Sequence, residues 1–264
     1  MHIEEIIEKI TPINQDCVKL AQARFDGLIK PVGSLAKLEA MTSRYAGIIG
    51  KYDKHDIDYP KRDLLVWCDI TEAAQAEQIM LGRWPVNSLA AETGGQAVAL
   101  VVTSETEEDA LEEGAALVQE LVLNNKLGMV AFGCLAAVDN EIVRSAMCGG
   151  ILQAAAMGIP VMLDGVATCR AARKAAALQP VVLEYCFAGH VSAEEGAEEE
   201  LAALGLSAPL RLNIPDGAGE GAAMALTLFN AGIKAYKEME TFEEAGVHAE
   251  KKEYSLHEQE KKGK

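Results

Sequence analysis

The sequence predicts an α/β fold with a mainly parallel sheet and a small helical appendage. Short apolar runs alternate with helical segments through the middle of the chain, and the first fifty residues carry helical spacing alone. The chain has 264 residues, half of them hydrophobic, enough for a sizeable core. Aromatic residues make up only 5%, and alanine and glycine are abundant, which suits close helix–sheet packing.

In order, Ile3, Ile6, Ile7 and Ile10 fall at helical spacing until Thr11-Pro12 interrupts them. Asn14-Gln15-Asp16 opens a second helix. Lys30-Pro31-Val32-Gly33-Ser34 is turn chemistry, and Ser34 is placed to cap the next helix, whose apolar face is Leu35, Leu38, Met41, Tyr45 and Ile48. The polar stretch Lys51–Arg62 reads as a linker. Strands are expected at 64–69, 97–102, 129–132, 159–164 and 181–185. Helices are expected at 107–125, 142–157 and about 221–238. The domain expectation is residues 1–60 plus 230–264 for the helical part and 61–229 for the α/β part. The tail from His248, rich in Glu and Lys, reads as a solvated face.

The formal net charge of −16 disfavours nucleic acid and anionic membrane surfaces as partners. The six cysteines are scattered, without a Cys-x-x-Cys pair or histidines at ligand spacing, so they read as reduced, buried thiols rather than a metal site. The start lacks the pattern of a signal peptide, and no apolar run reaches the ~18 residues of a membrane span, so a cytoplasmic location is expected.

One stretch stands out as the lip of a small-molecule site: Pro215-Asp216-Gly217-Ala218-Gly219-Glu220-Gly221-Ala222-Ala223. Alternating glycines let a backbone approach a ligand, and the helix that follows aims free N–H groups at it. Asp69, Thr103, Gly133, Asp164-Gly165 and Gly189-His190 close their strands, so they define one rim with this loop. The spacing does not fit a dinucleotide fingerprint. Asp164 and His190 read as loop-anchoring residues more than as catalysts.

Three stretches together resemble the nicotinate-nucleotide:dimethylbenzimidazole phosphoribosyltransferase family. They are Leu28–Leu35 with Leu38-Glu39; Val161–Thr168 with Ala188–Glu194; and the loop above with Gly221–Ala225, closed by Thr241–Val247. The resemblance implies a Rossmann-like sheet and a small helical domain, built from the chain ends, that covers a partner's site across a dimer. It implies transfer of 5-phosphoribosyl from nicotinate mononucleotide to an aromatic base of the benzimidazole or phenol/p-cresol type, without a cofactor or metal. The incoming base must lose a proton as it attacks C1′, and a carboxylate in an apolar pocket would accept it. The substrate-binding set carried over from the resemblance is Lys30, Gly33, Ser34, Asp69, Asp164, Gly217 and Gly219.

The departures are selective. Alignment on Gly221-Ala222-Ala223 puts Ala218 where the family has its glutamate base, and Glu220 falls two residues on. Gly133-Cys134-Leu135-Ala136-Ala137-Val138-Asp139 runs almost directly into the next helix, where the family has a phosphate-contacting loop. Asp69-Ile70-Thr71 replaces Asp-His-Gly. The expectation is a diverged subunit that completes the active site of a homologous catalytic partner in a heterodimer. The alternatives are an active homodimer using Glu220 as base, and a nucleotide- or aromatic-binding protein without turnover.

Overall fold

The computed structural model describes residues 2–247. The tail from His248 lies outside them. In chain order the elements are α1 (Ile3–Ile7), α2 (Gln15–Gly27), α3 (Lys37–Ile49), β1 (Arg62–Cys68), α4 (Ala73–Met80), α5 (Pro85–Glu92), β2 (Ala97–Val101), α6 (Glu107–Asn125), β3 (Met129–Cys134), α7 (Glu141–Ala156), β4 (Val161–Leu163), α8 (Gly165–Leu178), β5 (Cys186–Ala188), α9 (Ala197–Ala203) and α10 (Glu220–Glu238). The described residues divide into two compact units, one running to residue 12 and then over 60–227, the other over 13–59 and from 228 onward.

The first unit is built on a five-stranded parallel sheet in the order β2-β1-β3-β4-β5. Its central strands are buried along their whole length, as continuous apolar runs should be in a sheet covered on both faces. Leu64, Leu65, Val66 and Trp67 are each removed from water, at about 1.5–3 kcal/mol per large side chain. Helix caps follow the sequence: Thr106 opens α6 by accepting from Asp109, and Asn140 opens α7 by accepting from Val143. Small residues let α6 and α7 touch, since a Cβ on Gly149 would lie 1.8 Å from the Leu111 carbonyl oxygen.

The second unit is helical. Asn14 caps α2 through Asp16 and Cys17. Its core contains two ring pairs, Phe25 with Tyr236 at 5.1 Å and Tyr45 with Phe229 at 5.2 Å. Arg24 closes the end of α10 by donating to the carbonyls of Tyr236 and Met239, both at 3.0 Å.

Four expectations are corrected. Residues 1–12 belong to the sheet unit, not to the helical one: Ile6 and Ile10 bury themselves and α1 packs on α6 and α7. Arg62 is no linker residue but the buried start of β1, donating to the Pro60 carbonyl at 3.0 Å. Residues 181–185 form a 3-10 turn, Pro180–Tyr185, and the strand is displaced to Cys186–Ala188. Pro180 and the Gln179 side chain, which accepts from Val181, start that turn, so its apolar content reflects burial rather than a strand. Ser34 does not cap α3. The helix begins at Lys37, and the exposed Ser34 lies in a turn in which its backbone N–H donates to the Pro31 carbonyl.

Candidate active site

Strand order reverses at β1, which has β2 on one side and β3 on the other, so the carboxyl ends of β1 and β3 mark the switch point where an open parallel sheet offers a crevice. The 215–221 loop lies on this part of the molecule. The Cys134 backbone N–H donates to the Gly217 carbonyl at 2.8 Å. Ala218 is only 1% exposed. Gly133 has to be glycine here: a Cβ would stand 2.3 Å from the Ala218 carbonyl oxygen. The loop backbone therefore rests directly on the end of β3. At the end of β1, Asp69 accepts from the Thr71 N–H and hydroxyl, both at 2.9 Å, and from the Asn140 side chain at 3.1 Å. The Thr71 bonds lead those that hold its carboxyl below the usual range. Asp69 thus ties the β1 end to the start of α7.

Beyond β4 and β5 the loop meets a buried polar cluster. Asp164 Oδ1 lies 2.6 Å from His190 Nδ1, and both side chains are wholly buried. Asp164 Oδ2 accepts from the Gly221 N–H at 3.0 Å, so a carboxylate from the end of β4 caps the first turn of α10. Gly221 admits no side chain, because a Cβ would fall 1.8 Å from His190 Nδ1. Burial opposes the charged imidazole, but the Asp164 hydrogen bond and charge, with Glu194, outweigh it and the His190 pKa is raised. Glu194 accepts from the Val166 N–H at 3.0 Å and the Ser192 hydroxyl at 2.8 Å, which fixes the start of α8.

Glu220 opens α10. One of its carboxylate oxygens is buried with no hydrogen-bond partner among the described residues. Burial pushes its pKa up to about 7; its own backbone N–H opposes this, and the charges of Asp216 and Asp164 add to the rise. A carboxyl group with this value is suited to accepting a proton near neutrality.

The other expected residues lie in the helical unit. Lys30 makes a buried ion pair with Glu39 at 2.8 Å. Glu39 also accepts from the Leu35 N–H at 2.9 Å and from Gln22 at 3.1 Å. Gly33 takes φ 72°, which allows the turn. The turn borders a cavity of about 960 Å³ with Leu20, Arg24, Ile29, Tyr52 and Phe242 among its walls. The structure thus gathers Asp164, Gly217 and Gly219, with Ala218 and Glu220, around one rim, and Lys30, Gly33 and Ser34 around one turn of the other unit.

Sequence reasoning missed Glu39, Asn140 and Glu194 as partners of these groups. Glu39 and Glu194 stood within the family-like stretches, and an asparagine directly ahead of a helical segment is the cap signal that could have found Asn140. All six cysteines are free and buried, and burial pushes Cys68, Cys134, Cys148 and Cys169 up to about 12. Among the described residues no group of three or more His, Cys, Asp or Glu side chains is placed to hold a metal, and no helix is long and apolar enough to cross a membrane.

The profile of the DBI_PRT family, described as phosphoribosyltransferase, matches residues 93–247, more than half of the chain and all of the rim from β2 onward. The chain belongs to this phosphoribosyltransferase family. Among curated relatives, the nicotinate-nucleotide–dimethylbenzimidazole phosphoribosyltransferase of Rhodobacter capsulatus is 37% identical over 135 residues, covering 51% of this chain and 40% of that protein. The protein of the same name from Geotalea uraniireducens is 46% identical over 103 residues, 39% of this chain and 29% of its own length. The matched stretch therefore spans less than half of these relatives. Among solved structures, CobT from Thermus thermophilus superposes with a TM-score of 0.76 at 21% identity, covering 88% of this chain and 99% of that one. At that identity the likeness speaks for the fold.

Proposed function

We propose that this phosphoribosyltransferase-family chain is a cytoplasmic subunit that takes part in transfer of 5-phosphoribosyl from nicotinate mononucleotide to an aromatic base, of benzimidazole or phenol/p-cresol type, in cobamide lower-ligand synthesis. Its role is to complete the active site of a homologous partner that carries the base. The observation that carries this reading is Ala218: it stands at the position expected of the family glutamate, cannot take a proton, and is buried with its backbone on the end of β3. The Lys30–Ser34 turn and its neighbouring cavity are the surface this chain would offer to the partner's substrates.

In the reaction, departure of nicotinate breaks the bond from C1′ to the pyridinium nitrogen, and the new bond at C1′ forms to a phenolic oxygen, which gives up its own proton, or to the unprotonated ring nitrogen of a benzimidazole, whose other ring nitrogen gives up the proton. A carboxylate facing the atom that carries the proton takes it. The second reading, a working base in this chain, is favoured by one observation: Glu220 is partly buried with a pKa of about 7. Incubation of the purified chain with nicotinate mononucleotide and each base class, following nicotinate release, tests both. The expected result is no turnover by the chain alone. Turnover that vanishes in Glu220→Gln would establish the second reading, and binding of the nucleotide without release would support a binding protein instead.

A further inference from the structure

We propose that the 215–221 loop is a pH-sensitive clasp on the strand-end rim, closed while Glu220 and His190 carry protons and released as they lose them. Three contacts close it. Cys134 donates to the Gly217 carbonyl at 2.8 Å, Gly221 donates to Asp164 at 3.0 Å, and the His190 ring packs against the Gly221 backbone while pairing with Asp164 at 2.6 Å. The first contact holds the loop on β3 and the other two hold the start of α10 on β4. Gly217, Gly219 and Gly221 alternate through the segment and supply the freedom to swing.

The charges are unbalanced. Facing Glu220 are Asp164 from the end of β4, His190 from the segment after β5, and Asp216 from the loop itself; facing His190 are Asp164 and Glu194. Four carboxyl groups thus share one imidazole. When Glu220 ionises, its buried oxygen has no donor, and opening to water supplies one. When His190 loses its proton, its bond to the Asp164 carboxylate loses the ion-pair attraction and is weakened.

Both groups act with the same sign. The Glu220 pKa is raised from 4.5 to about 7 in the closed form, so closure takes up a proton and weakens as pH climbs between those values. The His190 pKa is raised from 6.5, so its contribution is full below 6.5 and is lost as pH passes its raised value. Release above neutrality lifts the Ala218 backbone off the end of β3. The clasp does not depend on which chain supplies the base.

Hydrogen exchange of the full chain without substrate, from pH 5 to 8.5 and corrected for intrinsic rates, reads the clasp directly. Protection of the Gly221 and Cys134 amides, the two backbone donors of the clasp, should fall about 10- to 30-fold between pH 5 and 7.5, allowing for the partial exposure of Glu220, while α6 stays constant. Glu220→Gln should keep the loop protected at pH 7, and His190→Gln should lower protection at pH 5. A flat profile in the native chain, or an unaltered profile in Glu220→Gln, would overturn the clasp. Nicotinate release is a separate measurement, so the clasp and the proposed function can fail independently.

Discussion

The two units each contain a buried ion pair at a family-like motif, and the pairs are finished differently. In the helical unit Lys30–Glu39 is complete: both oxygens of Glu39 are engaged by Lys30, Leu35 and Gln22. In the sheet unit Asp164–His190 is closer and more deeply buried, but it sits among surplus carboxyl groups, and Glu220 beside it is left with an unpartnered oxygen. A satisfied buried pair is a structural tie, since each charge has its partner and its hydrogen bonds. An under-satisfied cluster around histidine, which changes charge near neutrality, is a place where protons and motion are coupled. The sheet unit carries an under-satisfied polar cluster around the rim, whereas the helical unit carries a satisfied turn.

Both pairs are open to test by substitution. The largest effect is expected at Glu39: Glu39→Ala leaves Lys30 buried without its partner and should cost about 3–5 kcal/mol in urea unfolding. A loss under about 1 kcal/mol would mean that the pair is not the tie described. Gly221→Ala drives a methyl into the His190 ring and should cost about 1–3 kcal/mol, seen as a lower midpoint on thermal melting. Glu220→Gln removes a carboxyl that is strained when ionised, so above pH 7 the variant should exceed the native chain by about 1–2 kcal/mol, discounted for partial exposure. That gain should shrink as pH falls toward 4.5, where the native carboxyl is protonated in the folded state and takes up its proton in the unfolded one. The smallest effect is at Ser34: because it caps nothing, Ser34→Ala should stay within about 0.5 kcal/mol. A larger loss would restore the capping role expected from its sequence.

Much of the fold was legible because buried parallel strands write continuous apolar runs. Leu64–Cys68, Ala97–Val101 and Met129–Phe132 stood out, and so did the long α6. Periodicity failed at 181–185, where an apolar run packs as a 3-10 turn, since burial and strand geometry leave the same trace over five residues. It also failed at residues 1–12, because spacing reports a helix without saying which unit it packs on. At the rim, the glycines and Asp164 were legible as strand-end and loop residues, and their motif raised the family. The link from Asp164 to Gly221 crosses 57 positions and the one from Lys30 to Glu39 crosses 9. No local pattern carries such pairings; only the fold brings the side chains together. The raised Glu220 pKa was hidden for the most part, since it arises first from burial; of the charges that add to it, Asp216 is near in sequence but Asp164 is a neighbour only in space.

The division of labour is tested most directly by co-purifying this chain with an intact member of the family and following nicotinate release from nicotinate mononucleotide in the presence of a phenol or a benzimidazole. Division of labour predicts turnover by the complex, none by this chain alone, abolition when the partner's base glutamate is replaced by glutamine, and survival when Glu220→Gln is made here. Full turnover by this chain alone, lost in Glu220→Gln, would contradict it.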